Sequence, residues 1–153
     1  MSVTESASNI NAQALLEAAG ALQSALDRRD ATISAAHELG RSDWRCLQWL
    51  RDNGPQSPGA VCAALDLTSG SVTALLDRLE RRGLVERLAD PVDRRALRIA
   101  LRDPAHELLA RTHAPLIDVT DRLTARWGAE RAQAAQRACL DLAKLIQWVT
   151  NKA

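Results

Sequence analysis

LTSGSVTALLDRLERRGLVERLADPVDRRALRIAL, residues 67–101, changes its hydrophobic period in mid-course, and that change decides the fold. In the first half Val72, Leu75, Leu76 and Leu79 recur at the 3.6-residue spacing that buries one face of a helix. Thr68 and Ser69 offer side-chain oxygens to the free N–H groups of its first turn. Gly83 stops it, because a glycine takes the left-handed conformation at C′ and brings Leu84 against Leu79 in a Schellman cap. Beyond Gly83 the period falls to two: Leu84 to Leu88, then Leu97, Ile99 and Leu101 alternating with Arg98 and Ala100. Asp90-Pro91 signals the turn between them. The stretch is therefore a short helix followed by a two-stranded hairpin with Arg94 and Arg95 at or near its tip.

The helix face left outside is Ser69, Gly70, Ser71, Thr73, Ala74, Asp77, Arg78 and Arg81. Small side chains at a helix N-terminus allow close approach to base edges in a major groove, and arginines further along hold phosphate or guanine. Two cations on a projecting loop need anionic partners, and Asp93 alone cannot neutralise both. Arg94 and Arg95 are thus expected to probe phosphate or a minor groove, with Asp93 fixing one guanidinium. A merely solvated turn is the alternative, and the adjacent helix argues against it.

The run from Ser71-Val72-Thr73 through Leu79-Glu80-Arg81-Arg82-Gly83-Leu84-Val85-Glu86-Arg87, then Asp90-Pro91-Val92-Asp93-Arg94-Arg95-Ala96-Leu97, resembles the recognition helix and wing of the multiple-antibiotic-resistance regulator (MarR) family. Asp-Arg-Arg in the wing is that family's most specific short motif. The resemblance is strongest from Trp44 to Leu101 and is one of pattern outside it. It implies a mainly α fold: a winged helix-turn-helix with a two-stranded β wing and long N- and C-terminal dimerisation helices. It also implies a homodimeric transcription factor, often a repressor of a pseudo-palindromic operator released by a small ligand. Ser57, Ser69, Ser71, Thr73, Ala74, Arg78, Arg81, Arg94 and Arg95 are the expected DNA-facing residues, with Asp93 positioning the wing. One departure is Arg102-Asp103-Pro104, where the family usually continues with Thr and a Gly-containing helix start.

Outward from this module, Ser57-Pro58 gives an N-cap and a proline at N1, opening a short helix through Val61, Cys62, Ala63 and Leu65. Asp66-Leu67-Thr68 then turns into the recognition helix, completing a helix-turn-helix. Upstream, Ser42 or Asp43 caps a helix with Trp44, Cys46, Leu47, Trp49 and Leu50 inward, closed by Asn53-Gly54-Pro55. A long amphipathic helix is expected over 10–38, with Leu15, Ala19, Leu22, Leu26 and Ile33 near heptad spacing. Downstream, Pro104 opens a helix that Pro115 should kink, Gly128 breaks the pattern, and Ala129 to Thr150 forms the last helix. The single domain thus comprises dimerisation helices at 10–38 and 104–153 around a DNA-binding module at 42–101. Surplus apolar surface on the outer helices argues for a homodimer with two recognition helices about one DNA turn apart.

With 153 residues, 46% hydrophobic and 25% charged, the chain is one ordinary globular domain. No cationic run precedes an apolar core at the N-terminus and no stretch is long enough to span a bilayer, so the cytoplasm is the expected location and no membrane partner is expected. The net charge of +1 says little, but its distribution is informative: −3 before Arg41, +3 from Arg41 to Arg102 and +1 afterwards. Cys46, Cys62 and Cys139 show no CxxC spacing and sit among apolar residues, as small buried hydrophobes do. Some MarR relatives sense oxidants through a cysteine in the first helix, and none of these three lies there. His37, His106 and His113 form no metal-binding cluster, and neither metal nor cofactor is expected.

No phosphate-binding glycine loop, Gly-x-Ser-x-Gly or His-Glu-x-x-His occurs, and the acidic residues are expected to pair with arginines at helical spacing, as Asp77 with Arg81. An enzyme is therefore not expected. The stronger rival is a winged helix that binds protein rather than DNA, which would have no need of Arg94 and Arg95 beside Arg78 and Arg81. The family resemblance further implies an effector crevice, lined here by His37, Trp44 and His113. Core packing for Trp44 and surface positions for the histidines are the commoner uses of such residues.

Overall fold

The computed structural model describes residues 12–90, 93, 96–150 and 152. Element order is α1 (Ala12–Ala36), α2 (Arg41–Asn53), α3 (Pro58–Leu65), α4 (Ser69–Arg81), β1 (Val85–Ala89), β2 (Leu97–Leu101), α5 (Asp103–Trp127) and α6 (Ala129–Thr150). The chain divides into two compact units, the first ending at Leu109 and the second beginning at Ala110. This architecture is the mainly α, winged helix-turn-helix arrangement that the family resemblance implied.

The first unit is built around one apolar cluster. Trp44, Cys46, Leu47 and Leu50 of α2 meet Val61 and Leu65 of α3, and Val72, Leu75, Leu76 and Leu79 of α4. Val85, Ile99, Ala105, Leu108 and Leu109 close the cluster from the wing strands and the first turns of α5. Each fully buried leucine or isoleucine contributes about 1.5–3 kcal/mol relative to exposure, so this one cluster fixes the relative orientation of α2, α3 and α4. Helix ends are set by local chemistry. The Ser57 hydroxyl accepts the Ala60 N–H at 3.2 Å with Pro58 at N1, and the Thr68 hydroxyl accepts the Ser71 N–H at 3.3 Å. Gly83, at φ 68°, completes the anticipated Schellman cap: Leu84 N–H donates to the Leu79 carbonyl at 3.0 Å and Gly83 N–H to that of Glu80 at 2.9 Å.

β1 and β2 pair antiparallel with Val85 opposite Leu101, Arg87 opposite Ile99 and Ala89 opposite Leu97. The hairpin has a further partner that periodicity cannot signal. Gln56, in the α2–α3 connection, exchanges two backbone hydrogen bonds with Ile99, at 3.0 and 2.7 Å. This single bridge ties the base of the wing to the start of the helix-turn-helix.

In the second unit, α5 runs on past Pro115 without interruption, and Gly128 at φ 78° separates it from α6. Pro115 has no N–H to offer, so the helix loses one rung there but not its continuity. No residue of α6 is buried, and Leu140, Leu145, Ile146, Trp148 and Val149 are exposed, as are Ile117, Val119 and Leu123 of α5. No single described helix is long and apolar enough to cross a membrane.

Candidate nucleic-acid interface

The recognition-type helix α4 presents Ser69, Gly70, Ser71, Thr73, Ala74, Asp77, Arg78 and Arg81 on its exposed side, while Val72, Leu75, Leu76 and Leu79 are 0–2% exposed. The face anticipated as outer is outer. Its hydroxyls are partly engaged at home: Ser71 Oγ lies 2.8 Å from Thr68 Oγ1, and Thr73 Oγ1 donates to the Ser69 carbonyl at 2.9 Å. Gly70 has open space where a Cβ would be, so the first turn of α4 is stripped to backbone on that side. Ser57 is likewise exposed, with its hydroxyl occupied as the α3 cap.

The basic residues divide. Arg81 Nε donates to the Asp77 carbonyl oxygen at 3.2 Å, and its other guanidinium nitrogens have no protein partner among the described residues. Arg78 is different, and the expectation that it is free for phosphate or guanine is corrected. Its Nε and Nη2 bind the two oxygens of Asp43 at 3.0 and 2.5 Å, a bidentate pair with a carboxylate only 2% exposed. The hydrogen bond and charge of Asp43 raise the Arg78 pKa further above its ordinary value. Asp43 Oδ2, the oxygen that takes Nε, also accepts the Gly40 N–H at 3.0 Å, closing the first turn of α2. The expected Asp77–Arg81 ion pair is also corrected: the Asp77 carboxylate takes Arg87 Nη2 of β1 at 2.5 Å, and Glu80 takes Arg87 Nη1. Arg87 lies within reach of two acids on one turn of α4, and these raise its pKa as well. The wing is thereby bolted to the recognition helix.

Arg94 and Arg95 lie outside the described residues. Asp93 is described and exposed; its N–H donates to Asp90 Oδ1 at 3.2 Å and its carbonyl accepts the Ala96 N–H at 2.9 Å. Asp90, in the sequence only a turn former, organises the loop. One of its oxygens receives Arg98 Nε at 2.5 Å, and Arg98 Nη1 reaches the Pro55 carbonyl at 3.4 Å. An Asp just after the first strand with an Arg in the second carries no periodic signature, which is why the sequence alone does not reveal it.

The three residues suggested for an effector crevice fall as follows. Trp44 packs in the core at 2% exposure with its indole N–H buried and unpartnered. It lines a cavity of about 40 Å³ with Asp27, Asp30, Ser34, Arg41 and Arg45, a volume suited to a water or two rather than to a drug-sized molecule. His37 follows the last residue of α1, and its carbonyl accepts from Arg82 at 2.7 Å. His113 belongs to the second unit and lines an open groove with Leu116, Ile117, Thr120 and Asp121. Among the described residues no group of His, Cys, Asp and Glu could hold a metal.

A tri-helical module with a helix exposed along its small-residue side and a hairpin bolted beside it defines a winged helix-turn-helix of the kind used by transcription regulators. Residues 37–96 match the model of the MarR family. Solved structures agree on the fold. A transcriptional regulator from Thermotoga maritima, Tm0710, is 20% identical at a TM-score of 0.67, covering 92% of this chain and 99% of its own. A MarR family protein from Bacillus stearothermophilus is 23% identical at 0.67, covering 90% and 99%. NadR, solved in complex with 4-hydroxyphenylacetate, is 23% identical at 0.62, covering 87% and 92%. No curated protein matches by sequence.

Proposed function

We propose that this protein is a sequence-specific DNA-binding regulator, a cytoplasmic homodimer that represses from a pseudo-palindromic operator and is released by a small ligand. The observation that carries the reading is the exposed, side-chain-poor first turn of α4 beside a wing whose loop holds Arg94 and Arg95. Ser69, Gly70, Thr73 and Ala74 would approach base edges, Ser57, Ser71 and Arg81 the adjoining backbone, and the wing arginines phosphate or a minor groove. Asp93 would help set the wing loop. The exposed apolar residues of α5 and α6 supply a surface for a second copy, which would place two recognition helices about one turn apart. Ligand release would then be a population shift: DNA favours one separation of those helices, an effector another. His37 and Trp44 in the first unit and, separately, His113 in the second stay proposed as effector contacts, with a ligand-bound fold neighbour in support.

The test is a titration of one duplex at several salt concentrations with the wild-type protein and Arg94→Ala. Affinity should fall and the log–log salt slope should flatten by about one, the change expected when one fewer phosphate is neutralised. Equal affinity and slope would remove the wing from the interface and favour a winged helix that binds protein.

A further inference from the structure

Two arginines one turn apart on α4 reach back to the same corner of the chain. Arg78 holds Asp43 in the first turn of α2, and Arg82, the C-cap residue of α4, donates Nη1 to the Glu38 carbonyl at 2.5 Å and Nη2 to the His37 carbonyl at 2.7 Å. That corner is itself unusual. α1 ends in a Schellman pattern, with Glu38 N–H donating to the Ala35 carbonyl at 3.1 Å and Leu39 N–H to that of Ser34 at 2.8 Å. Its C′ position, which favours glycine, is occupied by Glu38 at φ 53°. A side chain in the left-handed region costs on the order of 1 kcal/mol, so the corner persists only because something holds it. Arg82 is placed to do so. Its charge lies at the negative end of α1, and its planar guanidinium satisfies two carbonyls that the helix leaves without partners. Asp43 in turn sits at the positive end of α2, where it caps Gly40 while holding Arg78.

We infer that Arg78 and Arg82 are positioning residues, forming a two-point clamp that sets the recognition helix on the α1–α2 corner and passes displacements of the last turn of α1 to α4. The inference rests on the DNA-binding reading for its consequence but not for its geometry. In the proposed dimer α1 is an outer helix, so a change in its setting reaches the DNA-reading face through these bonds rather than through the apolar core alone.

The test uses the full chain as Arg82→Met and Arg82→Lys, each measured by hydrogen exchange in the free protein and by salt-dependent titration of a duplex recovered by selection. Arg82 is exposed, so both variants should fold. Both should speed exchange over residues 34–40 and 76–84 and weaken operator binding about tenfold with an unchanged salt slope, since a lysine cannot span two carbonyls. Two results would overturn the clamp. One is a slope lowered by about one in Arg82→Met and restored in Arg82→Lys with exchange unaltered, which marks a phosphate contact. The other is wild-type exchange and affinity in both variants. If the wild-type protein retains no duplex at any salt, the DNA-binding reading fails, while the exchange measurement still decides the clamp.

Discussion

The most constrained single residues lie behind the recognition helix rather than on it. Cys46 is fully buried, and burial, reinforced by the Asp43 carboxylate, pushes its thiol from about 9 up to about 12. The folded state keeps a proton that the unfolded chain gives up near the ordinary thiol value. Cys46 therefore adds stability that is complete below pH 9 and is lost as the pH climbs toward 12. Cys139, anticipated as a buried hydrophobe, is instead exposed, so at pH 8 an alkylating reagent should label it quickly and Cys46 only on unfolding; mass spectrometry of partly labelled native protein checks this. Asp43 is equally buried but charged. Arg78→Met would leave that carboxylate with the Gly40 N–H as its remaining hydrogen bond, and should cost roughly 2–4 kcal/mol in urea unfolding. Asp43→Asn should cost less, because a half-exposed guanidinium can turn to water. Neither partner is legible as such in the sequence. A pair separated by 35 residues has no spacing rule, and Asp43 reads only as a helix cap. Arg82 is hidden in the same way, beside a Gly83 whose role is plain.

At the level of elements, the agreement between sequence and structure follows from where the physics is local. The apolar periods of α2 and α4, the Ser57 and Thr68 caps, the Gly83 stop and the two strands are all decided within a few residues, and all are legible. The corner after α1 is not, because a Glu in the left-handed conformation breaks the rule by which such corners are found. The Gln56–Ile99 bridge is not either, since one residue is too short to show alternation. Two glycines separate stability from recognition. Gly83→Ala meets φ 68° and should destabilise by about 1 kcal/mol or more. Gly70→Ala lies on α4 with open space around the new Cβ, and should stabilise by about 0.5–1 kcal/mol in thermal unfolding. If the first turn of α4 meets base edges, that same substitution should weaken operator binding. A more stable protein with undiminished affinity would move the contact surface elsewhere on the helix.

For the whole molecule, the second unit poses the plainest question. Leu145, Ile146, Trp148 and Val149 crowd the end of α6 at 50–61% exposure, an apolar concentration that suits the proposed contact with a second copy. In sedimentation the wild-type protein should run at twice the 16.7 kDa chain mass, and Ile146→Glu should shift it toward the monomer and lower operator affinity together. α5 and α6 read as amphipathic from their sequence, but no residue spacing specifies what would cover them. The central claim, that a dimer reads a particular DNA sequence through α4 and the wing, is tested most directly by selecting bound sites from random duplex DNA at two salt concentrations. The account predicts an inverted repeat with half-sites about one helical turn apart, enriched at both. Weak, salt-sensitive retention without any shared motif would contradict it and leave a winged helix that serves another partner.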